Sequence, residues 1–390
     1  MHRRRAIVTD PGAERYGLVT GPAGQQQVEL VRMEVRLFEA ILMNSQWLLA
    51  RTPEAGWPVE GDFRWHQAPL PSPGPGQMLT ETLYLSMDPY QWGRRRGGVE
   101  LPGEVCHGRT VSRVLASQIA AYQPGDYVFN TNGWQSHGLT GEGITEFGYM
   151  RPRKLDPQLA PISTAIGIMG MLGLTAYAGL MVQCQPQPGE TVVVSAASGG
   201  VGQVVAQLAK LAGCRVVGIA GAASKVQFCL DELGLDACVS HLDEDLAGSL
   251  RAACPDGCDV YFESVGGRVF EAVLPLLNKQ ARITICGMIS QYGNTDGKNA
   301  QDTWRAIGHD TFERQQVELH PLFVGNFVDS HQQPFLELMG EHVRAGRVFY
   351  KEDRWQGLEQ APAAFSAMLE GRNFGKTIVV VKDELLRTSS

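Results

Sequence analysis

Apolar positions change their spacing along the chain. From Asn44 to Asn130 they fall in short runs broken by Pro, Gly and polar clusters. Residues 47–51 read as a strand, and 63–67 alternate as a half-buried strand does. Residues 77–85, 104–115 and 126–130 read as further strands, with 69–76 and Pro124-Gly-Asp126 as turns. This is an all-β, barrel-like region. Beyond residue 190 the pattern switches. Short β-branched runs at 191–196, 214–220, 236–240, 258–263 and 280–286 alternate with helical spacing at 201–212, 223–234, 243–253 and 267–277. Val201, Val204, Val205, Leu208 and Leu211 make the first apolar stripe. Such βαβ alternation predicts a doubly wound parallel sheet with right-handed crossovers, whose ligands sit beyond the strand C-termini where strand order reverses. A helix over 302–315, a strand over 317–324 and a helix over 334–345 follow. The tail, 375–381, is a strand expected to return to the β region.

Two stretches fit neither pattern. Residues 165–182 are uncharged but interrupted by four glycines, and read as a buried helix joining two domains rather than a membrane span. Residues 1–42 are expected to be an extension outside the fold, with 21–27 as loop and 28–43 as one amphipathic helix. Met33 and Met43 are alternative starts.

Composition narrows the class. A chain of 390 residues suits two domains. Hydrophobic content of 44% with 19% charged residues describes a soluble globular protein, and a net charge of −7 argues against a nucleic-acid partner. The eight cysteines are scattered, and Cys254 and Cys258 have no second pair, so reduced thiols in the cytoplasm are expected. The basic start, Arg3 to Arg5, precedes no apolar stretch of secretory length.

The chemistry centres on Ala196-x-x-Gly199-x-x-Gly202, between the first strand and first helix of the alternating region. Small residues there let backbone N–H groups and a helix N-terminus approach a pyrophosphate; a purely structural turn is the alternative. The second strand ends Val217-Gly-Ile-Ala-Gly-Ala-Ala-Ser-Lys225 without an acidic residue. Ser224 and Lys225 suit the 2′-phosphate of NADP, unless Lys225 is simply a solvated cation in a first helical turn. Glu263-Ser-Val-Gly-Gly267 and Cys286-Gly287 are expected to meet the glycine loop. Asp88-Pro89 reads as a plain turn as readily as part of a site. Arg94-Arg-Arg96 reads as a solvated run, or as an attractor of an acidic substrate.

Several segments resemble a known family. They are Leu83-Tyr-Leu-Ser-Met-Asp-Pro-Tyr90, residues 167–179, Ala196-Ala-Ser-Gly-Gly-Val-Gly202, Lys210-Leu-Ala-Gly-Cys-Arg-Val-Val-Gly218, Tyr261-Phe-Glu-Ser-Val-Gly-Gly267, Ile285-Cys-Gly-Met-Ile-Ser-Gln-Tyr292 and Asn373-Phe-Gly-Lys376. Together, from Asn44 to Lys382, they are similar to the zinc-independent medium-chain reductases, in the branch of prostaglandin/leukotriene reductases and double-bond reductases. Ala272-Val-Leu-Pro-Leu-Leu-Asn278 is most similar to bacterial curcumin reductases.

The resemblance implies an α/β protein: a GroES-like β-barrel catalytic domain (43–165 and 335–390) plus a doubly wound parallel-sheet Rossmann domain (166–334), after the 1–42 extension. It implies a cytoplasmic homodimer that uses NADPH to reduce the C=C bond of α,β-unsaturated ketones and aldehydes, with no membrane partner. It implies a cofactor site of Gly199, Gly200, Val201, Gly202, Ser224, Lys225, His241, Ser264, Cys286, Gly287, Ile289, Ser290, Tyr292, Phe323 and Asn373. Tyr292 is implied as the catalytic donor and Tyr90 as lining the enone pocket. Hydride added to the β-carbon drives charge onto the carbonyl oxygen, where a neutral donor stabilises it. The chain departs from the family at Ser264, often Asn; at His241, near which a tyrosine often stands; and at 293–299, which lacks the usual prolines. Cys106-His107 is followed by Gly108-Arg109 rather than by an acid, and the four-cysteine lobe of zinc-dependent relatives is missing, so no metal site is expected. An NADPH quinone reductase and a non-catalytic NADPH-binding protein are the alternative readings.

Overall fold

The computed structural model describes residues 43–144 and 149–382. The extension over 1–42, and the helix expected within it, lie outside the described residues, except that Met43 opens a strand. β1 (Met43–Leu49) pairs with β2 (Phe63–Pro69). β3 (Gln77–Ser86) leads into an unforeseen helix, α1 (Tyr90–Arg96). Next come β4 (Thr110–Ser117), β5 (Tyr127–Asn130), β6 (His137–Gly141) and β7 (Arg153–Leu155). The strand expected over 104–115 begins only at Thr110. Residues before it form a loop laced to β1, where the Leu49 amide donates to Glu104 O and the Cys106 amide to Trp47 O, both at 2.9 Å.

The buried segment expected as one helix over 165–182 is broken. A tight turn over Ile162–Ile166 precedes α2 (Met171–Tyr177), which widens into a π turn over Ala178–Cys184. Glycine causes the break. A Cβ on Gly170 would lie 2.0 Å from Ala165 O, and one on Gly173 2.0 Å from Ile168 O. Among the described residues, no helix is long and apolar enough to cross a membrane.

The alternating region folds much as its periodicity predicts. It runs β8 (Thr191–Val194), α3 (Gly202–Leu211), β9 (Arg215–Ala220), α4 (Ala223–Asp231), β10 (Ala237–Ser240), α5 (Leu246–Ala253), β11 (Cys258–Glu263), α6 (Gly267–Val273), β12 (Leu277–Ile285), α7 (Ala300–Gln315) and β13 (Glu318–Pro321). All six strands are parallel, in the order β10-β9-β8-β11-β12-β13. Strand order reverses between β8 and β11, the switch point at which such sheets bind ligands. Val192, Val193 and Val194 are fully buried, as a strand covered on both faces requires.

α8 (Val328–Arg344) starts before the expected Pro334, which lies inside it. Proline favours a first helical turn, but here a tight turn over Val324–Phe327 runs straight into the helix. β14 (Glu352–Gln356), α9 (Ala361–Leu369) and β15 (Lys376–Val380) follow. β15 returns to the sheet of β3, antiparallel to it with Ile378 opposite Ser86. That sheet runs β14-β15-β3-β4-β5-β7, and β6 also pairs with β3.

Candidate active site

The turn after β8 closes so tightly that only glycine fits. A Cβ on Gly202 would lie 2.2 Å from Ala196 O. One on Gly200 would lie 2.5 Å from Leu172 Cδ2 on α2 and 3.2 Å from Lys376 Cδ on β15. Gly199 donates its amide to Ala196 O at 2.8 Å, and Ala196 itself has φ +50°. Gly199, Gly200 and Val201 stay half-buried at the head of α3, beyond the end of β8 at the switch point. This cradle fits a pyrophosphate.

At the end of β9 two basic side chains gather. His241 Nε2 and Lys225 Cδ lie 3.3 and 3.9 Å from the place a Gly221 Cβ would occupy. Lys225 is half-buried and donates from Nζ to Gly371 O at 2.6 Å, so it is not the simple solvated residue weighed as an alternative. That bond ties it to the turn carrying Asn373, whose Nδ2 donates to Gly375 O at 2.9 Å. Partial burial, then the Lys225 charge, hold His241 below the ordinary imidazole value. Ser224 is exposed beside them. The set fits a 2′-phosphate.

The loops after β11 and β12 are zipped together. Cys286 and Gly287 donate their amides to Glu263 O at 2.9 and 3.2 Å, Ile289 to Ser264 O and Ser290 to Val265 O, both at 3.1 Å. Buried Glu263 fixes the first loop, accepting at Oε1 from the Val265 and Gly266 amides at 2.7 and 3.0 Å and at Oε2 from Trp304 Nε1 at 3.2 Å. Tyr292 folds back so that its phenolic oxygen lies 3.0 Å from a Gly287 Cβ position. Burial pushes the phenol up to about 12, with the Cys286 thiol adding to the rise and the Met288 amide opposing it. Tyr292 is therefore a neutral donor at physiological pH. Cys286 is itself pushed up to about 11 by burial.

The arginine run is a correction. Arg94-Arg-Arg96 is not a solvated stretch, because α1 sends two of the side chains to Glu100 and the third to the loop after β12. Arg94 Nε and Arg95 Nε reach Glu100 at 3.3 and 3.1 Å. Arg95 is fully buried, its guanidinium 4.4 Å from the Trp134 ring centre and 4.8 Å from that of Phe365. Arg96 crosses to the loop after β12, donating from Nη1 to Tyr292 O at 2.5 Å and from Nη2 to Asn294 O at 3.0 Å. The Trp57 indole closes over Gly293 in that loop, where a Cβ would lie 2.3 Å from it.

Tyr90 opens the same helix. Its hydroxyl meets His107 Nε2 at 2.8 Å, and the Arg109 guanidinium lies 5.5 Å from its ring centre. Burial, then the charges of Arg94 and Arg109, push His107 down to about 3, so its imidazole is neutral. Asp88-Pro89 is more than a plain turn. Asp88 is buried and pairs with Arg109 Nη2 at 2.7 Å and Lys376 Nζ at 3.0 Å, and accepts from Ser86 Oγ at 2.6 Å. Lys376, in turn, abuts Gly200. α1 thus links Tyr90 to the Tyr292 loop, and the Asp88 cluster links the Tyr90 turn to the glycine cradle. Phe323 is 53% exposed and edge-on to Tyr149 at 5.3 Å, and follows Leu322, whose amide donates to Ile285 O at the end of β12. Sequence reading missed Asp88, Arg96, His107, Arg109 and Lys376 as site neighbours. Their only signal was position beside the Tyr90 and Asn373 motifs. Among the described residues, no group of three or more His, Cys, Asp or Glu is placed to hold a metal.

A family model described as the N-terminal domain of oxidoreductase matches residues 45–145, and one described as zinc-binding dehydrogenase matches residues 200–311. The chain is 40% identical over 344 residues to the NADPH-dependent curcumin reductase of Escherichia coli, covering 87% of this chain and 97% of that protein. It is 40% identical over 335 residues to prostaglandin reductase 1 of Mus musculus, covering 85% and 98% respectively. The crystal structure of CurA in complex with NADPH from Vibrio vulnificus superposes with a TM-score of 0.78 at 39% identity, over 87% of this chain and 99% of the other.

Proposed function

The chain belongs to the medium-chain dehydrogenase/reductase family, and on that premise we propose that it reduces the C=C bond of α,β-unsaturated ketones and aldehydes with NADPH. The observation that carries this reading is a neutral phenol, Tyr292, folded onto Gly287 at the strand end after β12, in a chain that spans 97% of a curcumin reductase. When bound, NADPH supplies the hydride; no metal is required for the step.

The protein's own residues bind and orient. The Gly199–Gly202 turn takes the pyrophosphate, Ser224, Lys225 and His241 take the 2′-phosphate, and Asn373 with the Ser264, Cys286, Gly287, Ile289 and Ser290 backbone borders the nicotinamide half. Tyr292 donates a hydrogen bond to the carbonyl oxygen of the substrate, where negative charge grows as the β-carbon is reduced. Its raised pKa keeps the proton on the phenol, so the donor is present before charge develops, and the enolate then takes its α-carbon proton from solvent. Tyr90, held by His107 and Arg109, lines the enone side. Arg96 and Trp57 hold the Tyr292 loop closed and thin the water around it.

The test is a panel of enones and enals, followed by loss of NADPH absorbance and by mass spectrometry of the saturated product. Turnover of quinones alone, or tight NADPH binding with no turnover, would replace the reading by one of its two alternatives. We also read the protein as a cytoplasmic homodimer. The eight free thiols, six of them buried, suit a reducing compartment, and sedimentation measures the assembly.

A further inference from the structure

Gln203 and Gln207 stand one turn apart on α3, and both are buried. Their carboxamides reach out of the helix. Gln207 Oε1 accepts from the Phe349 amide and its Nε2 donates to Phe349 O, both at 2.7 Å. Gln203 Oε1 accepts from the Lys351 amide at 2.9 Å, and its Nε2 donates to Lys351 O at 3.3 Å. Gln207 Nε2 also donates to Gln203 O at 2.8 Å. A carboxamide offers an acceptor oxygen and N–H donors, as a peptide group does. Each glutamine therefore exchanges both bonds with one residue, like a hydrogen-bonded pair in an antiparallel ladder. The spacing matches too. Four residues of helix rise about 6 Å, and two residues of extended chain about 6.6 Å. Glutamines at i and i+4 thus clamp alternate residues of the segment before β14.

The clamp joins two parts of the site. Gln203 directly follows Gly202, so its inner end is the head of the glycine cradle. Its outer end meets the turn that carries Asn373. Lys351 O accepts a second bond, from the Lys376 amide at 2.9 Å. A Cβ on Gly375, which has φ +90°, would lie 2.3 Å from that same carbonyl. Lys351 Nζ lies 4.5 Å from the ring centre of Phe374. One carbonyl, Lys351 O, therefore ties the helix of the cradle to the Asn373 turn. A hydrocarbon side chain could fill the same space, but only paired donors and acceptors fix the register.

We propose that Gln203 and Gln207 are positioning residues for hydride transfer: they set the spacing between the pyrophosphate cradle and the Asn373 turn, and with it the placement of the nicotinamide half. The proposal rests on the enone-reductase reading and extends it to residues that touch no reacting atom. The test has three readouts on the full chain. They are amide hydrogen exchange at Phe349 and Lys351 without coenzyme, the Kd for NADPH by fluorescence titration, and the single-turnover rate of hydride transfer to an enone, identified by its slowing with 4-deuterated NADPH. In Gln203→Met, exchange at Lys351 should quicken about tenfold or more, as a local opening is eased. The hydride rate should fall about tenfold, within the range that a small misplacement of reacting groups costs, while Kd stays within about twofold. Gln207→Met, one turn farther from the cradle, should do the same to a smaller extent. Gln207→Glu separates bonding from bulk. Its ionised carboxylate cannot donate to Phe349 O, whereas the protonated acid both donates and accepts. Burial raises a carboxyl pKa, so its hydride rate relative to the parent should recover as pH falls from about 8 to about 6. Parental exchange at both amides in the two Met variants overturns the clamp. Faster exchange with a parental hydride rate makes the glutamines structural only and overturns the proposal, as does a loss confined to NADPH affinity. If the Met variants do not fold, Gln207→Glu decides, and a rate that stays at one fraction of the parent at every pH overturns the proposal. In each of these cases the enone-reductase reading stands. Failure of the parent to reduce any enone overturns both readings.

Discussion

The two large sheets fill their interiors by opposite means. In the parallel sheet the buried residues are mostly hydrocarbon, with Val192, Val193, Val194, Val217, Val260, Phe262 and Ile283 all at or near zero exposure and Glu263 as the notable charged exception. In the other sheet, β3 to β6 bury a polar network. Asn130 Nδ2 donates to Thr80 Oγ1 and Thr140 Oγ1 at 3.0 and 2.9 Å, its Oδ1 accepts from Thr110 and Ser112, and Asn132 Nδ2 donates to Thr82 Oγ1 at 3.0 Å. At the end of β3 the Asp88, Arg109 and Lys376 cluster is buried too. The difference teaches where each kind of interior comes from. Apolar burial follows from local spacing, since any hydrocarbon neighbour will do. Polar burial needs a particular partner for every donor and acceptor, and the partners come from anywhere in the chain. Asp88 and Lys376 are 288 positions apart.

The sharpest way to break the comparison is to unbalance the charge cluster. Asp88→Asn leaves Arg109 and Lys376 buried without their anion, and should cost about 3–5 kcal/mol in urea unfolding. Lys376→Met should cost less, because the Asp88–Arg109 pair at 2.7 Å stays neutral overall. If Asp88→Asn unfolds within ~0.5 kcal/mol of the parent, a margin typical of surface changes, the cluster is not the anchor of this sheet. The same group sets a pH limit. Burial pulls Asp88 upward, but Arg109 and Lys376 outweigh it and hold the carboxyl well below its usual range. Its contribution is therefore present above the unfolded carboxylate pKa, about 4, and is lost as pH falls toward the depressed folded value.

The parallel sheet should respond in the opposite way, with activity rather than stability at stake. Tyr292→Phe removes one neutral donor and little packing. Turnover should fall about 100-fold, the scale of a lost oxyanion donor, while NADPH affinity by fluorescence titration and the urea midpoint stay near the parent values. Unchanged turnover would take Tyr292 out of the reaction.

The same contrast sets what could be read in advance. The strands of the parallel sheet, the glycine turn after β8 and the returning tail were legible, because repeating apolar spacing and small-residue turns are local signals. The loops bearing Lys225, Ser264 and Tyr292 could be placed at the strand ends for the same reason. Arg94-Arg-Arg96 misled because three adjacent charges read as solvent-facing, whereas one turn of helix turns Arg95 into an aromatic box and Arg96 onto the Tyr292 loop. Asp88-Pro89 looked like any turn, because nothing near it in sequence announces Arg109 and Lys376. The 165–182 segment read as one helix because spacing does not report how closely Gly170 and Gly173 let the backbone fold on itself. α1 and β14, rich in Arg and in polar residues respectively, carry too few apolar positions to show a period.

Arg96 lets the two regions be coupled in one measurement, since it belongs to one sheet's helix and holds the other sheet's loop. Arg96→Met removes both bonds to the Tyr292 and Asn294 carbonyls. We expect kcat/KM to fall about tenfold, within the range that a small misplacement of a reacting group costs, with NADPH affinity retained. Arg96→Lys should recover part of it, because an ammonium reaches one carbonyl but not the forked pair. A parental rate in Arg96→Met would mean that Trp57 alone holds the loop.

The smallest effect lies at the far end of the parallel sheet and concerns how charge is used there. The Asp88 cluster is charged in all states, whereas His241 should change state with the ligand. Partial burial and Lys225 keep its imidazole below the ordinary value, so it is mostly neutral at pH 7 in the free protein. A 2′-phosphate placed between His241 and Lys225 favours the protonated ring and raises that pKa. Binding then takes up a proton, and by linkage NADPH affinity must strengthen as pH falls. Between pH 8 and pH 6 the Kd for NADPH should tighten about threefold beyond any change in the Kd for NADH, which brings no such phosphate; that is under one pKa unit of coupling. His241→Asn should flatten the profile, and Lys225→Ala should weaken NADPH at every pH because the lysine is charged throughout. Parallel pH profiles for the two coenzymes would place the phosphate away from His241 and leave Lys225 as its sole cation.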